Sequence, residues 1–111
     1  MKILLDTHAF IWYVEGSLEL SKTARKEIED NTNQCYLSMA SLWEMSIKIG
    51  LGKLSLKSPF NTVFDDVSNN GFDLLPIIFE HTLLNAQLTW HHKDPFDRLM
   101  IAQVLVKTCV L

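Results

Sequence analysis

The sequence predicts an α/β fold, a sandwich of helices around a parallel sheet. Three observations carry that expectation. Short apolar runs ("KILL", "QCYLS", "FDLLPI") alternate with longer segments of helical period. The first run is continuously apolar, the pattern of a strand covered on both faces rather than on one. The helical segments carry capping residues at their ends, which sets their boundaries.

Taken in order, Lys2–Leu5 reads as the first strand and His8–Gly16 as a short helix stopped by glycine. Ser21–Asp30 opens on an N-cap serine, with Ala24 and Ile28 on its inward face. Gln34–Ser38 is a second strand, followed by an apolar helix over Met39–Gly52 that glycine closes. Ser58–Gly71 predicts an amphipathic helix. Its signals are a serine cap, Pro59 in the first turn, and Phe60, Val63, Phe64 and Val67 spaced i, i+3, i+4, i+7. Phe72–Ile77 is a third strand, and Pro76, which has no N–H to donate, puts it at a sheet edge. Phe79–Leu88 and the segment "DPFDRLMIAQVLVK" predict two more helices, and Thr108–Leu111 the start of a strand.

At 111 residues the chain is expected to form one domain over 1–111. No run reaches the roughly 18–20 unbroken apolar residues of a membrane span, and the apolar N-terminal run is too short for a secretory leader. A cytoplasmic protein is the expectation, with no membrane partner. Cys35 and Cys109 lack metal-ligand spacing and read as buried free thiols. The net charge is −3. The pI near 5.7 is far from that of a dedicated nucleic-acid-binding domain. Any contact with nucleic acid is therefore local or metal-assisted. Candidates for it include Lys48 and Arg98, each of which also reads as an ordinary solvated charge.

Three carboxylates fall at element boundaries. Asp6 follows the first strand, Glu44 lies six positions beyond Ser38 at the end of the second, and Asp97 lies in the first turn of the last helix. In open parallel sheets such ends share one rim, where ligands collect. Three carboxylates in one pocket repel unless a cation or proton neutralises them. All-oxygen ligation suits Mg²⁺ or Mn²⁺, which activates water and stabilises charge on a phosphoryl oxygen. Each residue has a plainer reading. Asp6 or Thr7 caps a helix, Glu44 and Lys48 form an i, i+4 surface pair (though Leu42, Trp43, Met45 and Ile47 around Glu44 count against an idle one), and Asp94-Pro95 opens the last helix with Asp97 at its third position. For Asp94 capping is the stronger reading, whereas for Asp97 capping and ligation stand even.

In this order, "MKILLDTHAFIW", "LSMASLWEMSIKIGLGKL", "LLPIIFEHTLLNAQL" and "HHKDPFDRLMIAQVLV" resemble a PIN-domain protein, and more closely the VapC-like toxins of bacterial type II toxin–antitoxin pairs. The resemblance implies a three-layer α/β/α sandwich and an Mg²⁺- or Mn²⁺-dependent endoribonuclease. It also implies an RNA substrate, a small antitoxin partner and a homodimer. Asp6, Glu44 and Asp97 fall on the family's acidic metal positions, and Asp94 adds to the pocket's charge. Thr7 and Ser38 would orient ligands, and Arg98 would steady the pocket or face RNA. Family members continue into a further strand, a loop with a fourth acid and a final strand. The chain ends at Leu111, so a C-terminally incomplete domain is expected.

Two other functions compete. A catalytically impaired module would bind an antitoxin or dimerise without cutting RNA. A phosphotransfer domain would also set aspartates at strand ends, but "LLDTHAF" holds no second aspartate beside Asp6. Trp12, Tyr13 and Trp43 read as core or as a partner surface. His8 reads as a helix-surface residue, and His91 and His92 as loop residues.

Overall fold

The computed structural model describes residues 1–88 and 94–107, with side chains described through 104. The predicted strand at Thr108–Leu111, Cys109, His91 and His92 lie outside the described residues. Among the described residues three parallel strands form the sheet: β1 (Lys2–Leu5), β2 (Gln34–Ser38) and β3 (Asp73–Leu75), in the order β1-β2-β3. The predicted parallel α/β architecture is present. Parallel neighbours need crossovers, and helices supply them. These are α1 (Thr7–Glu15) and α2 (Lys22–Glu29) between β1 and β2, then α3 (Met39–Gly50) and α4 (Val63–Asn69) between β2 and β3. Helices α5 (Phe79–Gln87) and α6 (Pro95–Lys107) follow.

Alternation along the strands makes three layers. Leu5, Cys35 and Leu37 point to one face and pack with Phe10 and Ile11 of α1, Met45 of α3, and Val63 and Val67 of α4. Leu4 and Leu75 point to the other face, where Met100 of α6 covers them with Tyr36 and Val104 alongside. The register Leu4↔Tyr36 and Leu5↔Leu37 keeps each face in line. Burial on both sides is why β1 reads as a continuous apolar run.

Local chemistry sets the ends of the helices. Gly16 stops α1 in the left-handed conformation at φ 66°, which costs a glycine little. Ser21 caps α2, its hydroxyl accepting from the Ala24 N–H at 3.0 Å. Ala24 and Ile28 are only half-buried, so the inward face of α2 is a shallow one.

The fourth helix departs from expectation. Ser58 does not cap it, because the segment starts as a single 3₁₀ turn over Phe60–Thr62. Both the N–H and the hydroxyl of Thr62 donate to the Pro59 carbonyl, at 3.0 and 2.7 Å. The tighter turn shifts the helical phase. Val63 and Val67 are buried as expected, while Phe60 and Phe64 turn outward. The third strand is shorter than Phe72–Ile77, with Pro76 lying just beyond it and β3 at an edge of the described sheet.

His81, which the sequence reading did not single out, is buried in α5. Its Nδ1 accepts from the Ile78 N–H at 3.0 Å, and burial holds its pKa below the ordinary histidine value. A histidine held neutral in the fold takes up its proton more readily when unfolded. Its contribution is therefore present above the unfolded pKa, about 6.5, and declines as pH falls below that value. Stability measured by urea midpoint is expected to drop from pH 7 toward pH 5. A His81→Gln chain, whose amide oxygen still accepts from Ile78, should show a flatter profile.

Candidate functional site

Parallel strands release their helices at one sheet edge. The last pair of β1 with β2 is Leu5↔Leu37, so Asp6 and Ser38 stand one position further on, at the same rim. Helix α1 begins at Thr7 and α3 at Met39, side by side. Thr7 is thus in the first turn of α1 while Glu44 is in the second turn of α3. The two meet across the rim: the Thr7 hydroxyl donates to Glu44 Oε1 at 2.6 Å.

Glu44 is 5% exposed, and a carboxylate so placed needs compensation. Thr7 provides part of it on one oxygen. On the other, the Lys48 ammonium donates to Oε2 from one turn further along α3. That bond holds the Lys48 pKa above the ordinary lysine value. The negative charges of Glu44, Asp94 and Asp97 push it further up, and burial opposes them. The i, i+4 pair is therefore not an idle surface pair. One partner is buried, and the charges of α6 reach the other.

A further hydroxyl completes the cluster. Thr7 Oγ1 lies 2.9 Å from Ser41 Oγ, which in turn lies 3.6 Å from Met100 Sδ of α6. Thr7 has one proton and an ionised carboxylate can only accept, so that proton goes to Glu44. The Ser41 proton then serves Thr7 or the Met100 sulfur. Ser41 was missed from sequence, although it sits three residues before Glu44 and so shares its helix face. Ser38 is fully buried, and its hydroxyl accepts from the Ala40 N–H at 3.0 Å. It caps α3 and thereby fixes the start of the helix that carries Glu44.

Asp6 is exposed and caps α1, its Oδ1 accepting from the Ala9 N–H at 2.7 Å. Asp94 caps α6 in the same way, accepting from Phe96 and Asp97 N–H groups at 2.9 and 3.1 Å. Asp97 is exposed in the first turn of α6. An edge-on contact between the rings of Trp43 and Phe96, with centroids 5.6 Å apart, pins the starts of α3 and α6 together. Trp43 nevertheless remains 59% exposed. His8 lies on the outer surface of α1 against the Trp12 ring.

Arg98 does not face an open substrate channel. It is 2% exposed, and its guanidinium donates to the Asn85 and Leu88 carbonyls at 2.7 and 3.3 Å. Both carbonyls lie at the C-terminal end of α5, where a cation is favoured, and that of Asn85 also accepts from the Leu88 N–H at 3.4 Å.

The structure thus brings Thr7, Ser41, Glu44 and Lys48 into direct contact, with the charges of Asp94 and Asp97 bearing on Lys48. Among the described residues, no three Asp, Glu, His or Cys side chains stand close enough together to hold a metal ion as placed. The donor chemistry still fits a hard divalent cation, since the available groups are carboxylates and hydroxyls. The Glu44 carboxylate already draws a positive charge from its own chain. A cavity of about 310 Å³ between α1 and α4, lined by Phe10, Val14, Met45 and Asp66 among others, contains none of the rim residues. No helix among the described residues is long and apolar enough to cross a membrane.

A search of curated proteins returns no match to the chain. The sequence profile of the PIN domain matches residues 3–111, nearly the whole length, and with the parallel sheet and its covered faces this shows that the chain belongs to the PIN-domain family, whose members are generally nucleases.

Proposed function

We propose that the chain is an endoribonuclease dependent on Mg²⁺ or Mn²⁺, the toxin of a type II toxin–antitoxin pair. In this reading it acts on cytoplasmic RNA as a homodimer and is restrained by a small antitoxin. The observation that carries the nuclease reading is Glu44, a buried carboxylate at the sheet rim with cationic and hydroxyl partners. The toxin assignment rests on the resemblance of the "LLDTH", "SLWE" and "DPFDRLMIAQ" segments.

Asp6, Glu44 and Asp97 would hold the ion, with Asp94 adding charge. The ion supplies positive charge against the phosphate and lowers the pKa of a water. The chain's own residues prepare that chemistry. Thr7 fixes the rotamer of Glu44, Ser38 fixes the start of α3, and Asp94 fixes the first turn of α6 from which Asp97 projects. With a net charge of −3, the chain is expected to hold RNA through the ion and a few local cations rather than a broad basic face.

The deciding assay is RNA cleavage by the purified chain with Mn²⁺, with chelator, and after Asp6→Asn. Asparagine caps a helix as well as aspartate does, so the variant keeps its fold and loses one ligand charge. Cleavage by wild type that stops with chelator and is lost in Asp6→Asn is expected. Equal cutting by both chains would end the reading.

A further inference from the structure

We propose that Lys48 is the resident cation of the acidic rim, and that a divalent ion takes up Glu44 only by displacing it. The proposal rests on the metal-site reading above and deepens it. Both oxygens of Glu44 are already engaged, one by the Thr7 hydroxyl and the other by the Lys48 ammonium. No third acid, histidine or cysteine among the described residues is placed to complete a metal shell in this arrangement. A lone buried carboxylate would be costly, so a positive charge beside it is favoured whether or not a metal is present. Lys48 supplies it, and the charges of Asp94 and Asp97 act on the same ammonium.

The lysine is built to leave. Its side chain is 34% exposed, against 7% for that of Glu44, so of the two partners the lysine is the one in contact with water. Four methylenes let the ammonium swing outward without moving α3. Exchange replaces one positive charge by two at Glu44, and it frees the ammonium at the mouth of the site. Thr7 keeps its bond to Oε1 throughout, so the carboxylate need not reorient. Lys48 thereby sets the ion concentration at which the site fills. It also keeps the folded chain stable at lower ion concentrations.

The test is Mn²⁺ binding by the full chain, read from the loss of the free-ion paramagnetic resonance signal. It compares wild type, Lys48→Gln, Lys48→Arg, Lys53→Gln and Glu44→Gln. Glutamine retains an N–H for Glu44 but no charge. Lys48→Gln is expected to bind Mn²⁺ about ten-fold tighter or more, since a full charge leaves the contact. Lys48→Arg and the remote Lys53→Gln should stay near wild type, and Glu44→Gln should lose the site. If Lys48→Gln binds no tighter than wild type while Glu44→Gln still abolishes binding, the proposal is overturned and the metal-site reading stands. If neither wild type nor Lys48→Gln binds Mn²⁺, both fall. Should Lys48→Gln not fold, the side-chain ammonium resonance of Lys48 in the wild type decides. A resonance that moves in step with Mg²⁺ binding supports displacement, and one unchanged at saturation overturns it.

Discussion

An Arg98→Gln chain is expected to lose about 3–6 kcal/mol of stability, from two charge-assisted hydrogen bonds at roughly 1.5–3 kcal/mol each. Its affinity for RNA should meanwhile stay within about two-fold of wild type when both are compared folded. The guanidinium is buried and donates to two carbonyls of the C-terminal turn of α5. Removing it takes the charged donor from both carbonyls, leaving that of Asn85 with its bond from the Leu88 N–H, and removes a cation from the favourable end of the α5 dipole. Arg98→Lys should recover only part of the loss, because an ammonium lacks the planar fork that reaches both oxygens. Urea midpoints measure the first effect, and binding of a short RNA across a salt series measures the second. A variant of native stability whose affinity falls, with a shallower salt dependence, would instead make Arg98 a phosphate ligand.

The same residue shows where sequence reasoning stops. An arginine four residues after an N-cap aspartate reads as a charge on a helix surface. The C-terminus of α5 is what buries it, and that packing has no local signature in the sequence. Elements with strong local chemistry were legible: β1 from its unbroken apolar run, α1 from Gly16, α2 from Ser21, and the start of α6 from Asp94-Pro95. The fourth helix was legible in type but not in phase. A Pro59-centred 3₁₀ turn and an α-helical turn carry similar residues, and they differ by fractions of a turn.

The candidate site divides along the same line. Parallel topology alone brings the ends of β1 and β2 to one rim, so Asp6, Thr7, Ser38 and Glu44 could be grouped before any coordinates. The roles of the hydroxyls could not. Ser38 spends its oxygen on the backbone of α3, and Ser41 stands beside Thr7 instead. Which of two nearby serines faces a pocket depends on where the helix starts, a matter of one residue. Glu44 and Lys48 at i, i+4 fit a surface pair by spacing, but the apolar neighbours Leu42, Trp43, Met45 and Ile47 already weighed against an idle one. With α1 and α6 packed against α3, the glutamate is buried and a weak pair becomes the neutralisation of a buried charge.

That buried carboxylate is the reason Thr7→Val should have a large effect for so small a change. Valine nearly matches threonine in shape, so the packing of α1 is kept, and only the 2.6 Å bond to Glu44 Oε1 and the contact with Ser41 are lost. A charged acceptor left without its donor costs about 1.5–3 kcal/mol, and the melting temperature should fall accordingly. The effect on the ion should be larger than on the fold. A group that orients a ligand typically contributes 10–100-fold to metal affinity, so Mn²⁺ binding is expected to weaken by about that factor. Thr7→Ser keeps the hydroxyl and should restore most of both. The pair of variants separates two roles that the structure alone superposes. If valine lowers stability but leaves Mn²⁺ affinity unchanged, Thr7 serves the metal-free protein, in which Lys48 holds the other oxygen. If it lowers affinity as well, the hydroxyl goes on orienting Glu44 after the lysine has left, and the rim is organised in advance for a cation that its own chain represents until one arrives.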